Sequence, residues 1–209
     1  MKAFDEIGES WDKAHPEPMP IAKTLASLVK KKGIVLDAGC GTGRHFALLS
    51  GKAIKVYGID SSSKMIELAK RRASSLKKVE VLEGDFTKLP FENDFFDFVF
   101  YFASLHHLKV GEQEEAFQEM HRVLKKGGMA FVTVWSKYQK RFKGVKKEAL
   151  IGFDYYGRRA KRYYYFFDED ELKSLAVRAG LRVKEIFFED NGEKTKKLDS
   201  RNICLIAEK

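Results

Sequence analysis

Nine residues, VLDAGCGTG at 35–43, narrow the possible folds of this chain more than any others. A β-branched run, IVLDA (34–38), ends in an acid and an alanine. It passes directly into glycines at alternate positions: Gly39, Gly41 and Gly43. Glycine lets a backbone turn sharply and come close to a ligand. A strand that gives way to such a loop, with a helix-forming stretch behind it (RHFALLS, 44–50), predicts a β–loop–α unit with a ligand at the loop. The spacing is G-x-G-x-G. A dinucleotide fingerprint places Gly or Ala at position 44, and here Arg44 stands there.

The rest of the chain continues the alternation. KVYGID (55–60) reads as a second strand. SSSKMIELAKRRASS behind it carries a serine cap and apolar residues at helical spacing. VEVLEGD (79–85) is a third strand, and the continuous apolar run FFDFVFYFAS (95–104) a fourth, buried on both faces. An amphipathic helix is predicted over 112–128 with glycine past its end, then a fifth strand over 129–135. A capped helix over 168–180 and two strands, 182–190 and 201–209, close the chain. Length (209 residues) and hydrophobic share (44%) suit a buried core. The expectation is one α/β domain over 1–209, a Rossmann-like doubly wound sheet, with a helical lead-in over 1–30 that can cover the site.

Three acids mark the strand ends. Asp37 precedes the glycine loop, a poor neighbour for pyrophosphate and a reasonable one for a cationic ligand. Asp60 ends the second strand, where it can accept from ribose hydroxyls. Asp85 ends the third, where it can accept from an adenine amino group, with Phe86 beside the ring. The ligand that meets these demands is an adenosine without phosphates and with a positive charge, which describes S-adenosylmethionine.

With these residues the chain resembles the class I S-adenosylmethionine-dependent methyltransferases. The resemblance implies a seven-stranded sheet of order 3-2-1-4-5-7-6 with the last strand antiparallel. It implies Gly39 and Gly41 near the methionine part, Asp60 on the ribose, and Asp85 and Phe86 at the adenine, with Asp37, Cys40, Gly43 and Ser61 completing the cofactor set. YFASLHHL, after the fourth strand, falls where the family lines the methyl-transfer site. Tyr101 and Phe102 would flank the cofactor, and His106 and His107 would begin the next element, His106 being the candidate for chemistry. A narrower resemblance rests on FDEIGESWDKAHPEPMPI, SLHHL, RYYYFF and the terminal NICLIAEK. These look like the tRNA wobble-uridine methyltransferases, which esterify the carboxylate of 5-carboxymethyluridine. Where family members carry Arg and Trp in the N-terminal stretch, this chain has His15 and Met19. The implied partners are tRNA and, as in related enzymes, a small zinc-binding activator protein docking on the third strand.

Charge adds an independent pointer. The net charge is +9, and residues 137–162 hold ten Lys or Arg against two acids, so nearly all the excess sits in this basic aromatic segment. Localised positive charge interleaved with rings points to a polyanionic partner. GRRAKRYYYFF (157–167) packs four cations and five rings into eleven residues. Within it, Arg158, Arg159, Arg162 and Tyr163 join His15 and His107 as substrate-binding candidates.

Other classes recede. No run of eighteen apolar residues predicts a membrane span, and the N-terminus lacks a signal core, so a cytoplasmic location is expected. Two cysteines, Cys40 and Cys204, are too few for a disulfide scaffold or a four-ligand zinc site, and no metal is expected. A carboxylate acceptor is already ionised at neutral pH and needs alignment rather than a base. The competing reading is a small-molecule or quinone-type methyltransferase whose basic segment meets an anionic substrate.

Overall fold

A computed structural model describes residues 2–29 and 32–209. The chain opens with helices α1 (Lys2–Ala14) and α2 (Pro20–Ser27), then alternates: β1 (Ile34–Ala38), α3 (Phe46–Ser50), β2 (Lys55–Asp60), α4 (Ser63–Ala73), β3 (Val79–Glu83), β4 (Phe96–Phe102), α5 (Glu112–Val123) and β5 (Leu124–Trp135). A hairpin follows, β6 (Glu148–Tyr155) and β7 (Arg158–Tyr165), then α6 (Glu169–Arg178), β8 (Arg182–Asp190), β9 (Glu193–Lys194) and β10 (Asn202–Glu208).

The main sheet runs β3-β2-β1-β4-β5-β10-β8-β9. Its first five strands are parallel. β10 is antiparallel to both β5 and β8. The Rossmann-like order anticipated from the sequence is therefore present, with one correction: there are eight strands, not seven. The eighth, β9, is a two-residue return beyond the tight turn at Asn191 and Gly192, which both have positive φ.

A second correction concerns the helix placed over 112–128. It stops at Val123, because Leu124 turns extended (ψ 137°) and pairs with Phe96 of β4. Lys125–Gly128, although polar, is held in strand β5. Gly127, at φ +77°, donates its N–H to the Lys209 carbonyl, and Lys209 donates back to Gly128.

Apolar side chains cover both sheet faces, as parallel sheets require. One face packs Phe117 and Met120 of α5 and Leu172 and Ala176 of α6 against Leu36, Tyr101, Val132 and Leu205. The other packs Leu25 of α2, Phe46 of α3 and Ile66 of α4 against Val56, Phe100 and Phe131. α6 begins with a full capping box, Asp168 with Glu171. Among the described residues no helix is long and apolar enough to cross a membrane.

The basic segment is not a loop. Most of it is the β6–β7 hairpin, a separate two-stranded sheet with its own small cluster of Phe142, Tyr164 and Phe166. Helix α1 lies against this hairpin and is fastened to α4 by Asp5 accepting from Ser62 (2.6 Å), and by the Arg72–Asp12 (2.6 Å) and Lys64–Glu9 (2.9 Å) pairs. α1 and the hairpin thus roof the C-terminal ends of the parallel strands, where doubly wound sheets place their ligands.

Candidate active site

A cavity of about 880 Å³ lies under that roof. Its floor is the glycine loop. The three glycines serve different ends. At Gly39 (φ +71°) a Cβ would stand 2.3 Å from the Ser104 Cβ, and at Gly43 (φ +75°) 2.4 Å from the Phe46 ring, so both allow close internal packing. At Gly41 (φ +55°) a Cβ would meet nothing within 4 Å. Gly39 and Gly41 both line the cavity, Gly41 with open space before its backbone, and Gly43 does not.

Asp60 holds the loop in place. Its two carboxylate oxygens accept from the Gly41 N–H (2.9 Å) and the Ser62 N–H (3.0 Å). A carboxylate has about four acceptor positions, so lone pairs remain for a diol. Burial pushes the Asp60 carboxyl up from its ordinary range, and the backbone N–H groups oppose that. Asp85 lies two residues past β3, where one oxygen takes the Thr87 N–H (2.8 Å) and hydroxyl (2.9 Å) and the other is left for a ligand. Phe86, Phe102, Cys40 and Ser61 also line the cavity. Burial drives the Cys40 thiol well up, so it is no nucleophile. Asp37 sits one layer behind the wall. It is fully buried, neither oxygen has a donor, and the nearest basic atom is His45 Nδ1 at 3.6 Å. An orphaned buried carboxylate behind a glycine loop puts negative potential where a sulfonium or ammonium group would sit. The acids and the open Gly41 backbone fit the chemistry of S-adenosylmethionine: Asp60 would accept from its ribose, Asp85 and Phe86 would meet its adenine, and the loop would take its methionine part. When bound it supplies a methyl group on a positively charged sulfur.

The opposite end of the cavity is cationic and aromatic. β7 alternates faces, so Arg162 and Tyr164 point inward while Arg159 and Lys161 point out. Arg162 is 3% exposed and ringed by Phe4 and Trp11 from α1, Phe153 and Tyr155 from β6, and Tyr164, at 4.6–5.6 Å from guanidinium carbon to ring centre. One nitrogen donates to the Tyr155 hydroxyl (2.9 Å); Nε and Nη1 have no partner. A buried charge without a counter-ion is costly. Cation–π attraction offsets part of that cost, about 2 kcal/mol for a desolvated pair. Trp11 stacks on His15 (3.9 Å), and Tyr164 stacks on Trp135 (4.2 Å).

Two histidines join the ends. The Trp135 N–H donates to His106 Nδ1 (3.2 Å), so the neutral ring carries its hydrogen on Nε2. His107 Nδ1 faces the Tyr163 carbonyl (2.9 Å), which can only accept, so its Nε2 bears the lone pair. Burial, then the Arg162 charge, lowers His107 to about 3; burial, then His107 and Arg162, hold His106 well below its usual value. By this geometry His106, the sequence candidate for chemistry, offers a donor and not a base. Ala103, which lines the cavity between β4 and this pair, has φ +51° and is held by the Thr133 hydroxyl (2.9 Å). Strained backbone of this kind persists where surrounding contacts over-determine it.

Placement of the other sequence candidates divides cleanly. His15 and Tyr163 line the cavity. Tyr101 does not: it is fully buried on the α5 side, its hydroxyl donating to the Ala116 carbonyl (3.1 Å), because the residue parity of β4 sends 102 toward the cavity and 101 into the core. Arg158 and Arg159 are exposed at the hairpin tip, and Arg159 pairs with Asp154 (3.0 Å). The sequence assigned no site role to Arg44, Trp135, Arg141 and Arg201, all of which line the cavity. They come from three separate stretches; Arg44 had a local signal, as the residue that breaks the dinucleotide fingerprint, and Arg141 had one as part of the basic segment.

The sequence profile of the methyltransferase-domain family matches residues 35–128. A methyltransferase of Encephalitozoon cuniculi is 30% identical over 76% of this chain and 75% of its own length. A tRNA (carboxymethyluridine(34)-5-O)-methyltransferase of Xenopus tropicalis is 31% identical over 70% of the chain, which spans only 22% of that larger protein. A demethylmenaquinone methyltransferase of Staphylococcus aureus is 40% identical over 48% of the chain and 42% of its own length. Among solved structures, a Haloferax volcanii methyltransferase in complex with the Trm112 methyltransferase activator superposes with a TM-score of 0.73 over 99% of this chain and 96% of that one, at 18% identity.

Proposed function

The chain belongs to the S-adenosylmethionine-dependent methyltransferases, and from that premise we propose that it methylates the side-chain carboxylate of a modified wobble uridine in tRNA. The observation that carries this reading is Arg162: a buried guanidinium with two unpartnered nitrogens, caged beside the methyl-transfer end of the cavity. A carboxylate is its natural complement, by charge and by two-pronged geometry. The histidines support the same choice. His15, His45, His106 and His107 are all lowered by burial, so none is poised to take a proton at neutral pH. An acceptor that arrives ionised needs none. Arg162 would orient the carboxylate, His106 would donate to it or to the base from Nε2, and desolvation under α1 would sharpen the in-line displacement at the methyl carbon, with sulfur leaving.

The Xenopus relative names this reaction. The quinone relative is more identical over a shorter match, but a neutral quinone ring brings no counter-charge to Arg162. On the RNA side, Arg158 at the hairpin tip and Arg159 and Lys161 on its outer face would track phosphates, and the half-buried Tyr163 would stack a base. β3, paired only to β2, offers a free edge with Val79, Val81 and Leu82 partly exposed. A small zinc-binding activator adding a strand there is the partner this reading implies.

The test is transfer of labelled methyl to tRNA carrying 5-carboxymethyluridine, followed by nucleoside mass spectrometry and mild alkali. The expected product is a methyl ester that alkali removes. An alkali-stable methyl group, or transfer to a quinone and not to tRNA, would refute the assignment.

A further inference from the structure

Beside the main cavity lies a second, shallower groove of about 410 Å³. The two share a wall made of Arg141 and Arg201, each of which lines both. Arg141 lies over the Trp135 and Phe142 rings, at 4.5 and 4.4 Å, and donates from Nε to the Gln139 side-chain oxygen (3.0 Å). Neither arginine forms an ion pair with a carboxylate among the described residues, whereas Lys137, Lys140, Lys147 and Arg159 nearby do. Gln139 is 6% exposed, and its Nε2 is buried without a partner. A buried amide donor and two unpaired guanidinium groups thus meet at one wall of the groove. Asp190 and Asp199 stand elsewhere in the lining, and Asp199 is neutralised by Lys140 (2.8 Å).

We infer that this wall is a phosphodiester site for the nucleotide next to the one being methylated, with Arg141 and Arg201 taking the phosphate and the groove taking the chain that leaves the cavity. This rests on the reading of the substrate as RNA and adds a prediction that reading does not contain. A base swung into the main cavity must carry its backbone out past the roof. An arginine pair at the exit has no duty toward a free nucleoside or a small ring, but positions a polymer. Unpaired arginines suit this task because the guanidinium fork matches two phosphate oxygens. The Gln139 amide supplies a neutral third donor.

Two variants test the site. Arg201→Ala removes one exposed cation. Gln139→Glu keeps side-chain shape but turns the bond to Arg141 into an ion pair, cancelling that cation without disturbing its stacking. Thermal unfolding serves as the folding control. Binding of tRNA is measured as a function of salt. Each variant is expected to weaken binding several-fold at low salt and to flatten the slope of log K against log salt by about 0.7, the value for one lost single-strand phosphate contact. Wild-type slopes in both variants, with wild-type protein methylating tRNA, would overturn the groove and leave the proposed function standing. Wild-type protein that neither binds nor methylates tRNA would overturn that function and the groove with it.

Discussion

The two ends of the cavity are built from opposite materials. The cofactor end is acidic and local. Asp37, Asp60 and Asp85 each sit at or just past a strand end, and the glycine loop is tied back by the Gly41 N–H, which donates to Asp60 at 2.9 Å. The substrate end is basic, aromatic and assembled from afar. Phe4 and Trp11 come from α1, Trp135 from β5, and Phe153, Tyr155, Arg162 and Tyr164 from the hairpin. At the first end Asp60 and Asp85 have partners, while Asp37, the Thr42 hydroxyl and His45 Nδ1 do not. The second carries an unsatisfied charge. A site that must hold one cofactor can be preorganised by backbone geometry; a site that selects an anion can keep a buried cation waiting, at a cost to stability.

The sharpest break in that comparison is expected at Arg162. Arg162→Met should lower turnover on the carboxylated tRNA by about 10²-fold through lost alignment and leave S-adenosylmethionine affinity unchanged. It should also raise unfolding stability by about 1–3 kcal/mol, as replacement of buried charges by apolar groups often does. Steady-state kinetics, calorimetry and denaturant titration read the three quantities. A variant that loses stability and activity together would mean that Arg162 is a structural cation.

The converse change breaks the other end. Asp60→Ala should weaken S-adenosylmethionine binding by about 1.5–3 kcal/mol, because it removes a ribose acceptor and frees the Gly41 N–H. NAD should not bind either form. Unchanged cofactor affinity in calorimetry would take Asp60 off the ribose.

Proton linkage bears on the substrate end. His107 titrates at about 3 in the folded chain, with burial the main cause, against 6.5 when unfolded. Between those values the unfolded chain binds the proton and the folded chain does not, so stability falls as pH falls. The slope is about 1.4 kcal/mol per pH unit for each such group. Denaturant unfolding at about pH 7 and about pH 5 should show the loss before carboxylates titrate. A flat profile over that window would mean that the pair is already charged or solvated.

The smallest effect is expected at the tip and outer face of the hairpin. Replacing Arg158, Arg159 and Lys161 together by Ala should flatten the salt dependence of tRNA binding by about 0.7 per lost contact, with little change in stability, since surface pairs such as Arg159–Asp154 contribute about 0–1 kcal/mol. Turnover of bound tRNA should persist. Loss of turnover equal to that of Arg162→Met would erase the distinction between the two faces of β7.

Much of the sheet and of the acidic end was legible in the residues. The apolar runs, the acids at or just past strand ends and the Gly39-x-Gly41-x-Gly43 spacing are all short-range signals, set by the directions of neighbouring residues along one strand and the turn after it. Misreadings arose where pairing overrode local pattern. Lys125–Gly128 looked like a helix end with its glycine stop, but β4 and the C-terminus hold it in strand β5. Tyr101 looked like a cofactor neighbour because it adjoins Phe102, yet adjacent residues of a strand face opposite ways.

GRRAKRYYYFF marks the boundary. By itself it determined that a basic aromatic surface exists and that polyanions are the natural partners. It did not determine which cation is buried, because charges and rings occupy both parities of the strand. That was decided by the hairpin register, which sets Ile151 opposite Arg162, and by α1, whose Phe4 and Trp11 close over the face that carries Arg162. The physical reason is that a strand has two faces with equal claims until something packs on one of them. Here the packing elements lie about 150 residues away in the chain, beyond the reach of any local pattern.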